Sequence, residues 1–165
     1  MTYEEKLQDL IVKANWRNSN LYNSVIVFDI ELDDRKEIFY QYLSKTSWRK
    51  YQEDYHEAGD DNYDYVLFEN EVLTMLRLYN ALKEHNGKIL IFNNDNVIRR
   101  PELLRIIEGG VCGNPNDLAG KWYIYPEGKP KFMFKGSIII LTTLSKDEFK
   151  GKKKYQYLMR DCLKI

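Results

Sequence analysis

Residues 88–96 read Lys-Ile-Leu-Ile-Phe-Asn-Asn-Asp-Asn, and no other stretch limits the fold as strongly. Gly87 precedes four consecutive apolar residues, 89–92, and three carboxamides and one acid follow at once. So short an apolar run, bounded by turn residues, reads as a strand buried on both faces, the kind found in the middle of a parallel sheet. Ligands of open α/β sheets bind outside the carboxyl ends of such strands, which places Asn93, Asn94, Asp95 and Asn96 where chemistry is expected. An acid there could hold a metal ion or orient water. An amide oxygen can still touch a metal or accept a hydrogen bond, but it carries no negative charge and cannot act as a base.

The rest of the chain supplies strands and helices to surround that run. Residues 4–14 place Leu7, Leu10, Ile11 and Ala14 at helical spacing, with Thr2 and Glu5 as a capping box. A β-branched run at 25–28 is a second buried strand, and an aromatic-rich helix over 38–43 follows, capped by Asp33 or Asp34. Residues 44–64 show little periodicity and read as surface loop or broken helix. A short strand at 65–68 precedes a helix over 71–85 with Val72, Met75, Leu76, Tyr79 and Leu82 on one face, ended by Gly87. Beyond the central strand a helix starts near Pro101 and turns Leu103, Leu104, Ile106 and Ile107 inward. A loop at 109–120, a hairpin of 121–125 with 131–134, and the strand Ser137–Leu141 come next. A lysine-rich turn, a short helix at 155–160 and a last strand at 162–165 complete the chain. This alternation predicts one α/β domain over residues 1–165, three-layered, with a mainly parallel sheet.

Composition narrows the class further. A chain of 165 residues, 44% apolar and 30% charged, can bury a full core and is not of the disordered kind. No apolar stretch approaches the roughly 18 residues of a membrane span, and the first residues do not read as a signal peptide, so no membrane is expected. Cys112 and Cys162, without close spacing, fit reduced thiols in a cytoplasm-like compartment. Net charge is zero but uneven: acids dominate between Asp29 and Glu71, and lysines dominate after Lys129. Opposite faces of that kind suit head-to-tail association of copies, and the basic end suits nucleic acid. Lys150, Lys152, Lys153 and Lys154 are the strongest candidates for contact with a phosphate backbone or a partner. Trp48, Tyr51, Tyr55, Tyr63 and Tyr65, with Arg49 and Lys50, read as a protein-contact patch. His56 and His85 lack Cys or His neighbours at ligand spacing, so no zinc site is expected.

From residue 60 onward the succession of motifs resembles the core of AAA+ ATPases, especially small ones encoded by phages and other mobile elements. The resemblance rests on Ile89–Asn94, Leu103-Leu104, the hairpin, Phe134-Lys135-Gly136 leading into Ser137–Leu141, Thr143, and Leu158-Met159-Arg160-Asp161-Cys162. It implies a RecA/AAA+-like core with a β-hairpin insertion and, since the chain stops after its last strand, without the helical lid. The same register puts residues 30–37 at the phosphate loop, where the family needs G-x-x-x-x-G-K-S/T. Glycines let backbone N–H groups approach phosphate, the lysine reaches the terminal phosphates, and the hydroxyl binds magnesium. Here Lys36 falls at the lysine position, both glycines are absent and Glu37 replaces the hydroxyl residue. Asp29, Glu31, Asp33 and Asp34 add repulsion; one like-charge pair at about 4 Å costs on the order of 4 kcal/mol at an effective dielectric near 20. Asn93 and Asn94 stand at the Walker B acid positions, Thr143 at the sensor position and Arg160 at the position of an arginine finger.

The resemblance therefore implies a pseudo-ATPase with no cofactor, no ATP or magnesium turnover, and no catalytic residue. It would act through a protein partner: an ATPase, a helicase or helicase loader, or a host factor, in DNA replication or a phage–host process in the cytoplasm. The competing reading begins at Val25-Ile26-Val27-Phe28-Asp29-Ile30-Glu31. A strand ending in Asp-x-Glu resembles the first motif of DEDD-type 3′–5′ exonucleases, whose carboxylates hold two magnesium ions. The run from His56 to Asp61 resembles their H-x-A-x-x-D motif, which would make Asp29, Glu31 and Asp61 metal ligands. Too few residues separate the two motifs to hold the intervening sheet.

Overall fold

The computed structural model describes residues 2, 3, 5, 6, 24–46, 48–51, 63–69, 73–111, 123–124 and 128–164. Six strands, all parallel, form its main sheet: β1 (Ser24–Val27), β2 (Trp48–Lys50), β3 (Tyr65–Glu69), β4 (Ile89–Asn93), β7 (Ser137–Leu141) and β8 (Leu163–Lys164), in the order β2-β3-β4-β7-β1-β8. The two most apolar runs, β4 and β7, lie side by side in the centre with Leu90 opposite Ile138 and Phe92 opposite Ile140. Every residue of both strands is buried, which is why neither shows the alternation of a half-exposed strand.

Alternate residues along the strands feed two cores. Ile26, Phe28, Phe68, Leu90, Phe92, Ile138 and Ile140 pack on one face with α2 (Met75–Glu84), α3 (Asn96–Arg99), α4 (Pro101–Val111), α5 (Lys146–Lys150) and α6 (Gln156–Asp161). Val25, Val27, Leu67, Ile91, Ile139 and Leu141 pack on the other face with Phe39 and Leu43 of α1 (Arg35–Leu43). Helices thus cover both faces of a parallel sheet, as the alternation of the sequence predicts. A separate antiparallel pair, β5 (Tyr123–Ile124) and β6 (Phe132–Met133), sets Tyr123 against Met133.

Two glycines serve the central strands. Gly87 takes φ +89° between α2 and β4, a conformation that side-chain-bearing residues rarely adopt. Gly136 lies against the backbone at the start of β4, where a Cβ would overlap the Lys88 carbonyl oxygen. That carbonyl accepts from Ser137 N at 3.1 Å, the bond that opens the β4–β7 ladder.

Several expectations need correction. Residues 44–64 contain β2, a three-residue edge strand paired with β3 (Trp48 opposite Tyr65); so short a strand leaves no period to read. Neither Asp33 nor Asp34 caps α1 with its side chain, although Asp34 occupies the N-cap position. Met75 and Leu76 are 38% and 49% exposed, and α2 buries Leu78, Tyr79, Ala81 and Leu82 instead. The stretch read as a lysine-rich turn opens with α5, started by a full Ser145–Glu148 capping box, and Lys152, Lys153 and Lys154 follow it in a turn and a 3-10 helix at Lys153–Tyr155. Within the expected aromatic patch, Tyr51 and Tyr65 are core residues, and Tyr51 stacks on Phe68 at 4.5 Å between ring centroids. The Thr2–Glu5 capping box is present, with Thr2 N donating to Glu5 Oε2 at 2.7 Å and Glu5 N to Thr2 Oγ1 at 3.2 Å. Most of the helix expected over 4–14, with Tyr55, His56, Val72 and Cys112, lies outside the described residues; Cys162 is buried and forms no disulfide with a described residue.

Candidate functional site at the carboxyl edge of the sheet

The chain leaves β1 through a loop in which the amides of Asp29, Ile30 and Leu32 are bonded within the protein. Asp29 N donates to Leu144 O at 2.9 Å, Ile30 N to Thr142 O at 3.0 Å and Leu32 N to Asp29 O at 2.9 Å. Arg35 N then reaches Leu32 O at 3.3 Å and Ile38 N reaches Asp34 O at 2.9 Å. A phosphate cradle needs such N–H groups to point at the ligand. Here they point at carbonyls. Asp29 and Asp33 also adopt left-handed backbone, φ +50° and +52°, which aspartate tolerates better than most residues but glycine accepts without strain.

The charged side chains of this loop pair locally. Lys36 Nζ donates to Glu31 Oε1 at 3.0 Å in a largely exposed ion pair, and Arg35 Nη1 stands 3.8 Å from Asp29 Oδ2. Lys36, expected at a phosphate-loop position, is therefore engaged with an acid of its own loop. Asp29 and Glu31 each face a basic neighbour, Asp61 lies outside the described residues, and no group of three or more His, Cys, Asp or Glu residues among those described is arranged to hold a metal ion.

The ends of β4 and β7 contrast with that loop, because their polar groups are buried and joined across elements. Asn93 is 8% exposed and donates through Nδ2 to the Tyr40 hydroxyl at 2.9 Å. Tyr40 in turn donates to the Glu69 carboxylate, which Lys50 approaches at 3.6 Å. Burial raises the Tyr40 phenol well above its ordinary range, the bond to Glu69 and its charge raise it further, and the bond from Asn93 opposes them. The phenol thus stays protonated and serves as a donor. Asn94, 7% exposed, accepts from Asn96 N at 3.0 Å and closes the turn into α3.

Asp95 is the residue that binds the two central strands at this edge. Its carboxylate accepts from Thr142 Oγ1 at 2.7 Å, from Thr143 N at 3.1 Å and from the Thr143 hydroxyl, while Arg99 Nε stands at 3.7 Å. Thr142 is fully buried, so its hydroxyl depends on this acceptor. Thr143, expected at a sensor position, does lie beside the polar end of β4. Its partner is Asp95, which the sequence placed in the polar cluster without marking it out from the three carboxamides. Tyr40, Glu69 and Arg99 were missed altogether, since no local pattern links residue 40 to residue 93.

A cavity of about 290 Å³ opens beside the end of β1, lined by Tyr3, Lys6, Phe28, Asp29, Arg35 and Lys146. Burial pushes the Tyr3 phenol up to about 12; Arg35 opposes the rise and Asp29 adds to it. At the far end of the chain Lys150, Lys152, Lys153 and Lys154 are exposed and form no ion pair with a described residue. The Arg160 side chain lies outside the described residues. No helix of the described residues is long and apolar enough to cross a membrane. Compared with protein-family models, with curated proteins and with solved structures, the chain matches none.

Proposed function

We infer that this protein is a catalytically silent AAA+-like domain that works by binding a protein partner, as an accessory or inhibitor in DNA replication or a phage–host process. The observation that carries the reading is the strand order β8-β1-β7-β4-β3. In a RecA/AAA+ core the strand ending in the sensor residue lies between the phosphate-loop strand and the Walker B strand. Here β7, which leads through Thr142 to Thr143, lies between β1 and β4. The antiparallel pair of β5 and β6 falls between α4 and β7, where the resemblance calls for a hairpin.

The chemistry of the same edge supports a loss of catalysis. The loop after β1 offers no free N–H among Asp29, Ile30 and Leu32, and Lys36 is paired with Glu31. Asn93 and Asn94 supply no base and are bonded to Tyr40 and to the Asn96 amide. Asp95, the acid nearest the sensor position, already accepts three hydrogen bonds. The exonuclease alternative draws nothing from the geometry, since Arg35 and Lys36 stand against Asp29 and Glu31.

The partner is a protein of the kind such domains assemble with, a helicase, helicase loader or related ATPase, and the exposed lysines 150 and 152–154 are the contact candidates; nucleic acid and a second copy of the chain are the other occupants to test. The experiment is to add the purified protein to a replicative helicase with its loader and follow ATP turnover and complex formation. A change in turnover that disappears when Lys152, Lys153 and Lys154 are replaced by Glu, with the fold intact, is the expected result. Turnover and complex formation unaffected by the wild-type protein would overturn this choice of partner.

A further inference from the structure

The turn that joins α2 to β4 reads His85-Asn86-Gly87-Lys88 and holds the only Asn-Gly pair of the sequence. Both polar atoms of the Asn86 carboxamide are used across the molecule. Nδ2 donates to Met133 O of β6 at 2.8 Å, and Oδ1 accepts from Lys135 N at 2.7 Å. One side chain thus fastens the end of the hairpin to the turn. A second fastening comes from α2, where the Tyr79 hydroxyl donates to Pro130 O at 2.7 Å and the Tyr79 ring meets Phe132 edge-on at 5.4 Å. The residue after Asn86 is in the opposite condition. Gly87 N forms no hydrogen bond with a described residue, and a Cβ at Gly87 would meet no atom within 4 Å. In an Asn-Gly pair that backbone nitrogen is the nucleophile that attacks the preceding side chain, and glycine has no side chain to obstruct it. The nucleophile is therefore open while the carbon it attacks is clamped.

We propose that Asn86 is a deamidation site gated by the hairpin: its carboxamide reacts when the hairpin detaches from the turn, and the product cannot remake the clamp. In the first step Gly87 N bonds to Asn86 Cγ, the Cγ–Nδ2 bond breaks, and ammonia leaves with the proton that Gly87 N gives up. Water then opens the cyclic imide at either carbonyl carbon, to aspartate or to isoaspartate. Neither carboxylate has an N–H to give to Met133 O, and an oxygen in place of Nδ2 repels that carbonyl. Isoaspartate also routes the main chain through Cβ immediately before β4. The clamp sits at the amino end of β4, away from the edge on which the protein-binding reading rests, so the two stand or fall separately.

The test is to age the whole protein in neutral buffer, folded and in urea, and to follow Asn86 by peptide mapping with mass spectrometry, aspartate and isoaspartate being separated by chromatography. Asn86 should convert in the folded protein, but about tenfold or more slowly than in the unfolded chain, since the reaction waits on local opening. Tyr79→Phe removes the bond to Pro130 O, keeps the ring on Phe132 and touches neither reacting residue. It should raise the folded rate about fivefold, the scale of one neutral hydrogen bond. Asn86→Asp, one of the two products, should speed tryptic cleavage after Lys131 and Lys135 several-fold, because the hairpin is no longer fastened at its end. Four results would each overturn the proposal: equal rates in folded and unfolded protein, no conversion of Asn86 in the folded protein, a Tyr79→Phe rate equal to wild type, or unchanged cleavage in Asn86→Asp.

Discussion

Two turns leave the same edge of one parallel sheet, and they are built in opposite ways. The turn after β1 is charged and largely exposed, its side chains pair with near neighbours in sequence, and the amides of Asp29, Ile30 and Leu32 bond to carbonyls. The turn after β4 is buried, and its side chains reach across the sheet: Asn93 to Tyr40, and Asp95 to Thr142 and Thr143. The first resembles a phosphate loop only in position. The second places its polar side chains so that they hold β4, β7 and α1 together. Polar residues at a strand end can therefore be structural, and the partners of their atoms decide which role they have.

Substitutions should expose this difference as a gradient of cost. Gly136→Ala should be the most damaging, since its Cβ must displace the Lys88 carbonyl at the opening of the β4–β7 ladder. A loss of about 3 kcal/mol or more in chemical denaturation is expected, with β4 and β7 no longer in register. Asp95→Ala comes next, at about 2–3 kcal/mol, because it strands a buried Thr142 hydroxyl along with two donors of Thr143. Lys36→Ala in the other turn should cost no more than about 1 kcal/mol, as exposed ion pairs do. Equal costs for Asp95→Ala and Lys36→Ala would erase the distinction between the two turns.

Acid should act at the opposite end of the sheet. His85, buried at the end of α2, shares a 2.9 Å hydrogen bond between Nδ1 and the Tyr63 hydroxyl, and burial lowers its pKa below 6.5. The unfolded chain then binds the proton more readily, so this residue's contribution is present above pH 6.5 and is lost as pH falls below it. The slope is at most that of one proton, about 1.4 kcal/mol per pH unit. Stability measured from pH 7.5 down to 5 should decline, and His85→Gln should flatten part of that decline; an unchanged slope would remove His85 as its source. The smallest effect belongs to Asp33→Gly, where relief of left-handed backbone is offset by the added freedom of the unfolded chain; stability should change by less than about 0.5 kcal/mol in the same denaturation assay.

The sheet was legible because its strands are short apolar runs buried on both faces, and the helix at Pro101 because its inward residues keep the helical period. β2 was not, since three residues paired at an edge carry no period. Met75 and Leu76 were misplaced because an apolar pattern states which faces can be buried, not how much of each the sheet will cover. At the candidate site the sequence located the polar cluster after Phe92 but could not rank its members. Asp95 matters through Thr142 and Thr143, and Asn93 through Tyr40, contacts made only once the strands are in register. The Ser145–Glu148 capping box stands in the sequence, but the lysines around it suggest a turn.

The central claim is that this edge has lost its chemistry while the scaffold remains, and it is tested most directly by titrating ATP with and without magnesium into the purified protein while following phosphate release. The account predicts no turnover and no binding that magnesium strengthens. Saturable, magnesium-dependent binding of ATP, or release of phosphate that Asp95→Asn abolishes, would contradict it.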